Sequence, residues 1–293
     1  MSKKTHQQQL AARKAKRQAE RAAEHARQRR NLAITITAIV AVVVVVVGVF
    51  VVIGTGNDGD TPTAGASTAP TELPASAGPD NKPKSIPTAL AAAPKRATPL
   101  PAEVSCTYKK GSEDSGGKKV DPPADGKVKA SGTSNVSLNT SIGDLQLKLD
   151  SALAPCAVKS FVSLVGQKYF DGTKCHRLTV GEGLQVLQCG DPSGTGSGGP
   201  GYSFADEVFP TLKYGRGVLA MANSGPNTNG SQFFIVYGDA SGLGPQYTAF
   251  GTIDEPSLKL IDKVAQAGVT PQQGPTDGTP ITPVEIKTAT SAA

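Results

Sequence analysis

Polar and apolar residues begin to alternate at about residue 134, which marks the start of a globular region. Residues 135–140 and 144–150 both alternate, and the turn between them predicts a hairpin of two strands. Other short apolar runs predict further strands at 173–179, 184–189, 218–222, 232–236, 248–253 and 281–287. This pattern is typical of a mainly β protein.

Two segments follow the helical period instead of the strand period. Residues 155–165 carry an i, i+3, i+4, i+7 stripe of Val158, Phe161, Val162 and Val165, and Pro155 suits a first helical turn. Residues 256–267 place Leu258, Ile261 and Val264 on one face. Eight strands and two helices predict a closed antiparallel barrel capped by the helices, over residues 131–289.

A run of 22 uncharged residues, 32–53, is long enough to cross a bilayer core of about 30 Å as a helix. A cleaved signal peptide is the alternative, but its apolar region is usually only about 7–15 residues. Residues 1–30 hold ten basic and two acidic side chains. The positive-inside rule then predicts a single-pass membrane protein with a cytoplasmic tail at 1–31 and everything after the span outside.

The partner of the basic tail is expected to be anionic lipid, because no aromatic residues interleave with its charges as nucleic-acid binding would favour. Residues 54–101 are rich in Pro, Ala and Thr, lack apolar periodicity and predict a disordered linker. Residues 102–130 contain one cysteine and are interpreted as an extension that packs on the domain.

The stretch 217–235, GVLAMANSGPNTNGSQFFI, resembles the signature of the cyclophilin family of peptidyl-prolyl isomerases. His176-Arg177-Leu178, the segment from Leu187 to Asp191 and the Gly-rich loop at 196–199 are similar to other parts of the family pattern. The resemblance runs from about 134 to 288. It implies a cyclophilin-like barrel, a proline-containing polypeptide as substrate and no cofactor or metal, and we expect a monomer.

The same resemblance implies roles for individual residues. Arg177 is expected to stabilise a twisted prolyl amide, with Gln232 and Phe234 completing the catalytic set, and Phe234 forming the floor of the proline pocket. The walls of the proline pocket are expected to be Val186, Leu243 and Tyr247, and Gln188 is expected to form hydrogen bonds through its amide. The neighbouring subsite is expected to consist of Ala222, Asn223 and Ser224.

Prolyl isomerisation requires few catalytic groups. A prolyl bond rotates over a barrier of about 18–20 kcal/mol set by amide resonance, and no covalent bond breaks. A fixed guanidinium beside an apolar floor therefore suffices as an electrostatic and positional catalyst.

His176 is the only histidine outside the tail, and alternation turns it toward the barrel interior as a structural residue. A non-catalytic module that binds proline peptides on the same fold is the alternative function.

Three departures from the family pattern bear on that alternative. Gly242 occupies the position of a family tryptophan that contacts cyclosporin, which leaves drug sensitivity open. The region 180–183 makes the segment between Arg177 and Gln188 three residues longer than usual. The position that matches a family phenylalanine is occupied by Gln185, or by Leu184 if the alignment is shifted by one residue.

Four cysteines, Cys106, Cys156, Cys175 and Cys189, all follow the predicted span. An even number in an oxidising compartment predicts two disulfides, for which three connectivities are possible. Strand alternation places Cys175 and Cys189 on opposite faces, so a bridge between them would need a bulge. The pairing stays open at this point.

Overall fold

The computed structural model describes residues 80–111 and 118–291. Within these residues the protein is mainly β, with two helices, as the pattern predicted. The elements in chain order are β1 (Glu103–Cys106), β2 (Lys109–Lys110), β3 (Gly126–Lys129), β4 (Thr133–Thr140), β5 (Gly143–Asp150), α1 (Pro155–Gly166), β6 (Thr173–Lys174), β7 (Arg177–Thr179), β8 (Val186–Cys189), β9 (Tyr202–Ser203), β10 (Val218–Met221), β11 (Phe233–Val236), β12 (Ala249–Ile253), α2 (Glu255–Ala267), β13 (Val269–Gly274), β14 (Asp277–Pro280) and β15 (Glu285–Ser291).

The largest sheet has eleven strands in the order β13-β14-β7-β8-β11-β10-β12-β5-β4-β15-β6. The prediction of a closed eight-stranded barrel is therefore wrong: among the described residues, the end strands β13 and β6 are not paired with each other. The predicted strand at 173–179 is two strands, because Cys175 and His176 between them belong to neither β6 nor β7. Its first piece, β6, has only two residues and pairs only with β15.

Both predicted helices and the first hairpin are confirmed with small shifts in their bounds. β4 and β5 pair from Thr133 opposite Asp150 to Thr140 opposite Gly143. In α2, the Asp254 side chain accepts a hydrogen bond from the backbone N–H of Ser257 at 2.9 Å and so caps the helix N-terminus. The hairpin of β13 and β14 was not predicted, because its polar, Pro- and Gly-containing sequence shows no apolar alternation.

Alternate residues of β8, β10 and β11 face two different apolar clusters. The inner cluster contains Leu187, Leu219 and Ile235 and continues into the main core beneath α1 and α2. The outer cluster contains Val186 and Phe234. Every residue of β10 and β11 is buried because both faces of these strands are covered. The outer cluster forms the base of the candidate site.

Residues 80–101, which we expected to belong to the disordered linker, instead pack against the domain. The Asn81 side chain donates to the Val269 carbonyl at 3.0 Å. The Ala91 backbone N–H bonds the carbonyl of Arg216 at 2.9 Å. Arg96 donates to the carbonyls of Leu153 and Glu207. These contacts come from single polar side chains and backbone groups, which leave no periodic pattern in the sequence. We refer to residues 80–101 as the N-terminal arm.

The extension at 102–130 also packs on the domain. β1 pairs with β3 in a separate two-stranded sheet, and a disulfide joins Cys106 to Cys156 on α1. The predicted tail, the predicted span at 32–53 and linker residues 54–79 lie outside the described residues. No helix within the described part of the chain is both long and apolar enough to cross a membrane.

Candidate active site

Three predicted site residues occupy one row across neighbouring strands. Arg177 on β7 lies opposite Gln188 on β8, and Gln188 lies opposite Phe234 on β11. Directly opposed residues on neighbouring strands project to the same face of a sheet. The guanidinium, the amide and the phenyl ring therefore share the outer face, which is the arrangement that the sequence predicted.

Hydrogen bonds to two side chains hold the Arg177 guanidinium in place. Its Nε and Nη2 donate to the two carboxylate oxygens of Asp277 at 2.8 and 2.7 Å, and its Nη1 donates to Gln188 Oε1 at 3.0 Å. The bonded Asp277 carboxylate raises the pKa of Arg177, and this effect outweighs burial, which lowers it. Arg177 thus stays positively charged, with a fixed plane.

The amide chain continues from Gln188 into the Gly-rich loop. Gln188 Nε2 donates to Gln232 Oε1 at 2.8 Å. Gln232 Nε2 in turn donates to the carbonyls of Gly196 and Gly198, both at 2.9 Å. Each amide orientation is therefore determined by its neighbours, and the loop is connected to Arg177 through two side chains.

A buried carboxylate supports that loop from below. Asp191 accepts hydrogen bonds from the backbone N–H groups of Ser193 and Gly196 and from the Ser193 hydroxyl. Burial alone would raise the pKa of Asp191, but these bonds and one from Gly198 outweigh it, so that the pKa is lowered. A Cβ on Gly198 would collide with the Asp191 carboxylate, and glycine is therefore required for this close approach.

The floor of the site is aromatic. Phe234 is 5% exposed, and its ring centroid lies 5.5 Å from that of Tyr247 in an edge-on arrangement. Tyr214 lies 6.3 Å from both rings, and its hydroxyl donates to the Tyr247 carbonyl at 2.6 Å. The three residues predicted as pocket walls lie near Phe234, since Val186 belongs to this outer cluster while Leu243 and Tyr247 pack against it.

A groove of about 470 Å³ adjoins the amide chain. Its lining includes Gln188 and Gln232 together with the three residues assigned to a neighbouring subsite, Ala222, Asn223 and Ser224. The Asn223 side chain is engaged within the protein, since its Nδ2 donates to the Gln246 carbonyl at 3.0 Å. Its Oδ1 also accepts a hydrogen bond from the Gly225 backbone N–H at 3.3 Å, so both ends of the Asn223 amide are engaged.

The predicted interior position of His176 is only partly right: both ring nitrogens are buried, but the residue borders a cavity that it shares with site residues. It lines a cavity of about 290 Å³ together with Arg177, Gln188 and Asp277. Neither of its ring nitrogens has a hydrogen-bond partner among the described residues. Burial lowers the pKa of His176, a nearby Asp191 raises it and Arg177 lowers it, which favours the neutral ring. Alternation fails here because His176 precedes β7 and lies outside any strand.

The three departures from the family pattern lie close together in the structure. The Gly242 N–H donates to the Gly183 carbonyl at 2.9 Å, so the lengthened 180–183 region lies against the position of the family tryptophan. Gln185 is 3% exposed, with its amide bonded to Asp239 N–H and to the Ser85 carbonyl of the N-terminal arm. Leu184, the shifted alternative, packs against the outer cluster and adds apolar surface there.

The disulfides are Cys106–Cys156 and Cys175–Cys189. The second bridge contradicts the expectation from alternation. Cys175 and His176 lie between β6 and β7 and outside both strands, so strand alternation does not hold Cys175 on the face of Arg177. Since Cys175 is two residues from Arg177 and Cys189 is next to Gln188, the bridge joins the segments that carry the two site residues.

Sequence reasoning missed three residues of this site. Asp277 and Tyr214 carried no local signal, because their partners are distant in sequence and in different elements. Asp191 did carry one, as an acid directly before a glycine-rich loop that needs an acceptor for its backbone N–H groups.

Comparisons with known proteins identify the family of this chain. The family model described as cyclophilin type peptidyl-prolyl cis-trans isomerase/CLD matches residues 135–291. A probable peptidyl-prolyl cis-trans isomerase B of Mycobacterium leprae is 50% identical over 197 residues, which are 63% of this chain and 65% of that relative. The chain thus spans slightly less than two thirds of that relative's length.

Two further matches cover nearly all of the other protein. A probable peptidyl-prolyl cis-trans isomerase A of Mycobacterium bovis is 38% identical over 175 residues, 54% of this chain and 92% of the relative. A crystal structure of a Cryptosporidium parvum cyclophilin type isomerase is 34% identical, with a TM-score of 0.49, and the match covers 55% of this chain and 99% of the other. Because the family model covers more than half of the sequence, this chain belongs to the cyclophilin type peptidyl-prolyl cis-trans isomerase family.

Proposed function

We propose that this protein is a peptidyl-prolyl cis-trans isomerase that accelerates rotation about X-Pro bonds in polypeptides. The observation that carries the proposal is the row of Arg177, Gln188 and Phe234, in which a fixed guanidinium and an apolar floor share one face of the sheet. The relatives named as peptidyl-prolyl isomerases support the same activity.

The geometry suits the rotation step. A proline ring placed on Phe234 and Tyr247 holds one side of the bond by apolar contact. Of the five N–H donors of a guanidinium, three bond Asp277 and Gln188, which leaves two for a substrate. As the amide twists, its nitrogen lone pair is freed from resonance and accepts from such a donor. Donors that are already oriented stabilise this state without reorganisation.

The groove beside the amide chain gives the substrate a second contact. Main-chain groups near Asn223 bind the polypeptide on one flank of the proline, and Ala222 and Ser224 line the place of the neighbouring side chain. Fixing a flank while the ring turns converts binding into torsion about the prolyl bond.

A second function, binding of proline peptides without fast turnover, is favoured by one observation. The place of the family tryptophan holds Gly242, which bonds the Gly183 carbonyl. Fewer aromatic contacts around the substrate's proline ring would weaken the binding of the ring that turnover requires. Retention of Arg177, Gln232 and Phe234 in one connected arrangement favours the enzyme.

The test is an isomerisation assay on a proline-containing peptide with the purified full chain in detergent. We expect activity in the wild type and a fall of about 10²-fold or more in kcat/KM for Arg177→Ala, since a transition-state donor is removed. Arg96→Ala, a change in the N-terminal arm, is the matched control and should keep full activity. A folded wild type that binds the peptide without turnover would favour the binding module. Equal activity in the wild type and Arg177→Ala would remove Arg177 from the mechanism.

We further propose that the domain acts outside the cytoplasmic membrane, anchored by residues 32–53 with the tail 1–31 inside. The uncharged 22-residue run and the ten cations before it support this placement. Two disulfides and the absence of free cysteine among the described residues suit an oxidising compartment. Protease added to intact cells should degrade the domain, and protection that is lost only on lysis would reverse the proposed orientation.

A further inference from the structure

Asp277 is the one residue that binds two nitrogens of the Arg177 guanidinium among the described contacts. It accepts from Nε at 2.8 Å and from Nη2 at 2.7 Å. The two side chains are partly buried, with 29% of Arg177 and 19% of Asp277 exposed. Charge-assisted bonds of this two-point kind fix direction as well as distance.

The position of Asp277 follows from the β13–β14 hairpin. β14 pairs with β7, so that Asp277 lies opposite Thr179 and Gly278 opposite Leu178. Arg177 is thus flanked by β14 on one side and β8 on the other, and each neighbouring strand supplies one bonding partner. The guanidinium is held from both sides across its own sheet.

The Arg216–Asp262 pair provides a comparison within the same domain. Its two bonds are both 2.7 Å, but Arg216 is only 3% exposed at its side chain and also bonds the Tyr237 carbonyl. The difference between the two pairs lies in the arginine, because the carboxylates Asp262 and Asp277 are both 19% exposed. Arg177, by contrast, is 29% exposed at its side chain and lines a cavity of about 290 Å³.

We propose that Asp277 is a positioning residue for prolyl isomerisation, which orients Arg177 so that its two remaining N–H donors face the twisted amide. Without the carboxylate, Nε and Nη2 have no fixed partner, and the long side chain moves among rotamers in a partly open cavity. Gln188 alone bonds one nitrogen and cannot fix the plane. This inference rests on the proposed isomerase function, because it concerns the same arginine.

A double-mutant cycle on the full chain tests the inference. Asp277→Asn keeps the shape but removes the charge and one acceptor. We expect kcat to fall by about 10- to 100-fold with KM nearly unchanged, because a donor displaced by about 1 Å loses transition-state contact while the ring stays bound. In an Arg177→Ala background, Asp277→Asn should have no further effect, since Asp277 acts only through Arg177. Asp277→Glu should recover part of the rate.

Two further measurements separate positioning from general stability. Asp262→Asn is the matched control: it should lower the melting temperature while leaving kcat unchanged. In ¹⁵N-arginine-labelled protein, the Arg177 Nε–H signal should exchange slowly in the wild type and rapidly in Asp277→Asn.

The outcomes distinguish the two proposals. An active wild type with unchanged kcat in Asp277→Asn would overturn the inference and leave the function standing. A further loss from Asp277→Asn in the Arg177→Ala background would also overturn it, since the carboxylate would then act by another route. A folded but inactive wild type would overturn the isomerase function and this inference together.

Discussion

Gln188 Oε1 accepts a hydrogen bond from Arg177 Nη1 at 3.0 Å, and the two residues lie directly opposite each other on β8 and β7. The same amide donates to Gln232, so Gln188 connects the guanidinium to the Gly-rich loop. Rotation of one amide would break both bonds together. The orientation of Arg177 therefore depends on a loop that it does not touch.

We predict that Gln188→Ala lowers kcat/KM by about 10-fold or more, in line with the ~1.5–3 kcal/mol associated with a hydrogen bond to a charged group. The measurement is the isomerisation assay with the full chain. Gln146→Ala is the matched control, since that glutamine bonds Ser137 on an exposed part of the hairpin. A rate equal to that of the wild type would show that Asp277 alone orients the guanidinium.

Loss of the aromatic floor should act on binding. Phe234→Leu keeps an apolar side chain but loses the edge-on contact with Tyr247, and such ring contacts are worth about 0.5–1.5 kcal/mol. We expect a several-fold rise in KM for a proline peptide with a smaller change in kcat. Phe250→Leu is the control, because Phe250 lies in the inner core. It should lower stability without raising KM, and a rise in KM equal to that of Phe234→Leu would argue against Phe234 as the floor.

The regular strands explain how much of this site could be predicted from the sequence. In β8 and β11 the side-chain period of two holds without interruption, so Gln188 and Phe234 fall on the predicted face. The hairpin of β4 and β5 and both helices were predicted for the same reason. Local periodicity is sufficient wherever the regular element continues without interruption.

Apart from Asp191, the missed features of the site depend on distant contacts or lie outside the regular strands. Asp277 is 100 residues from Arg177, and only the pairing of β14 with β7 brings them together. His176 and Cys175 lie outside the strands, where alternation gives no information about side-chain direction. The N-terminal arm is held by isolated polar contacts such as that of Asn81 with Val269. Such contacts follow from tertiary structure and leave no periodic signal.

The two disulfides should differ in their effect on turnover. Replacing Cys175 and Cys189 together with serine should cost stability by about 3 kcal/mol for a loop of 14 residues and should also lower kcat, because the bridge joins the segments that carry Arg177 and Gln188. Replacing Cys106 and Cys156 should cost about 4 kcal/mol for a separation of 50 residues but leave kcat unchanged. Urea unfolding and the isomerisation assay measure both. An unchanged kcat in the first variant would show that hydrogen bonding alone aligns the two strands.

A half-buried carboxylate at the start of α1 should make stability depend on pH. Glu207 accepts from the backbone N–H groups of Cys156 and Ala157 at 3.0 and 2.8 Å. Burial raises the pKa of Glu207 from 4.5 to about 7, although these two bonds and the charge of Arg96 lower it. The folded state then holds a proton that the unfolded state has already lost. Stability is consequently expected to fall as the pH rises from about 4.5 to about 7.

Glu207→Gln should flatten this part of the profile, because the amide does not titrate. The measurement is urea unfolding of the wild type and the variant at pH 5 and pH 8, with the exposed Glu182→Gln as the control that retains the wild-type profile. If the wild type were instead more stable at pH 8 than at pH 5 through this residue, the two backbone N–H bonds would outweigh burial. The carboxylate would then cap α1 in its charged form, and its pKa would lie below the ordinary value.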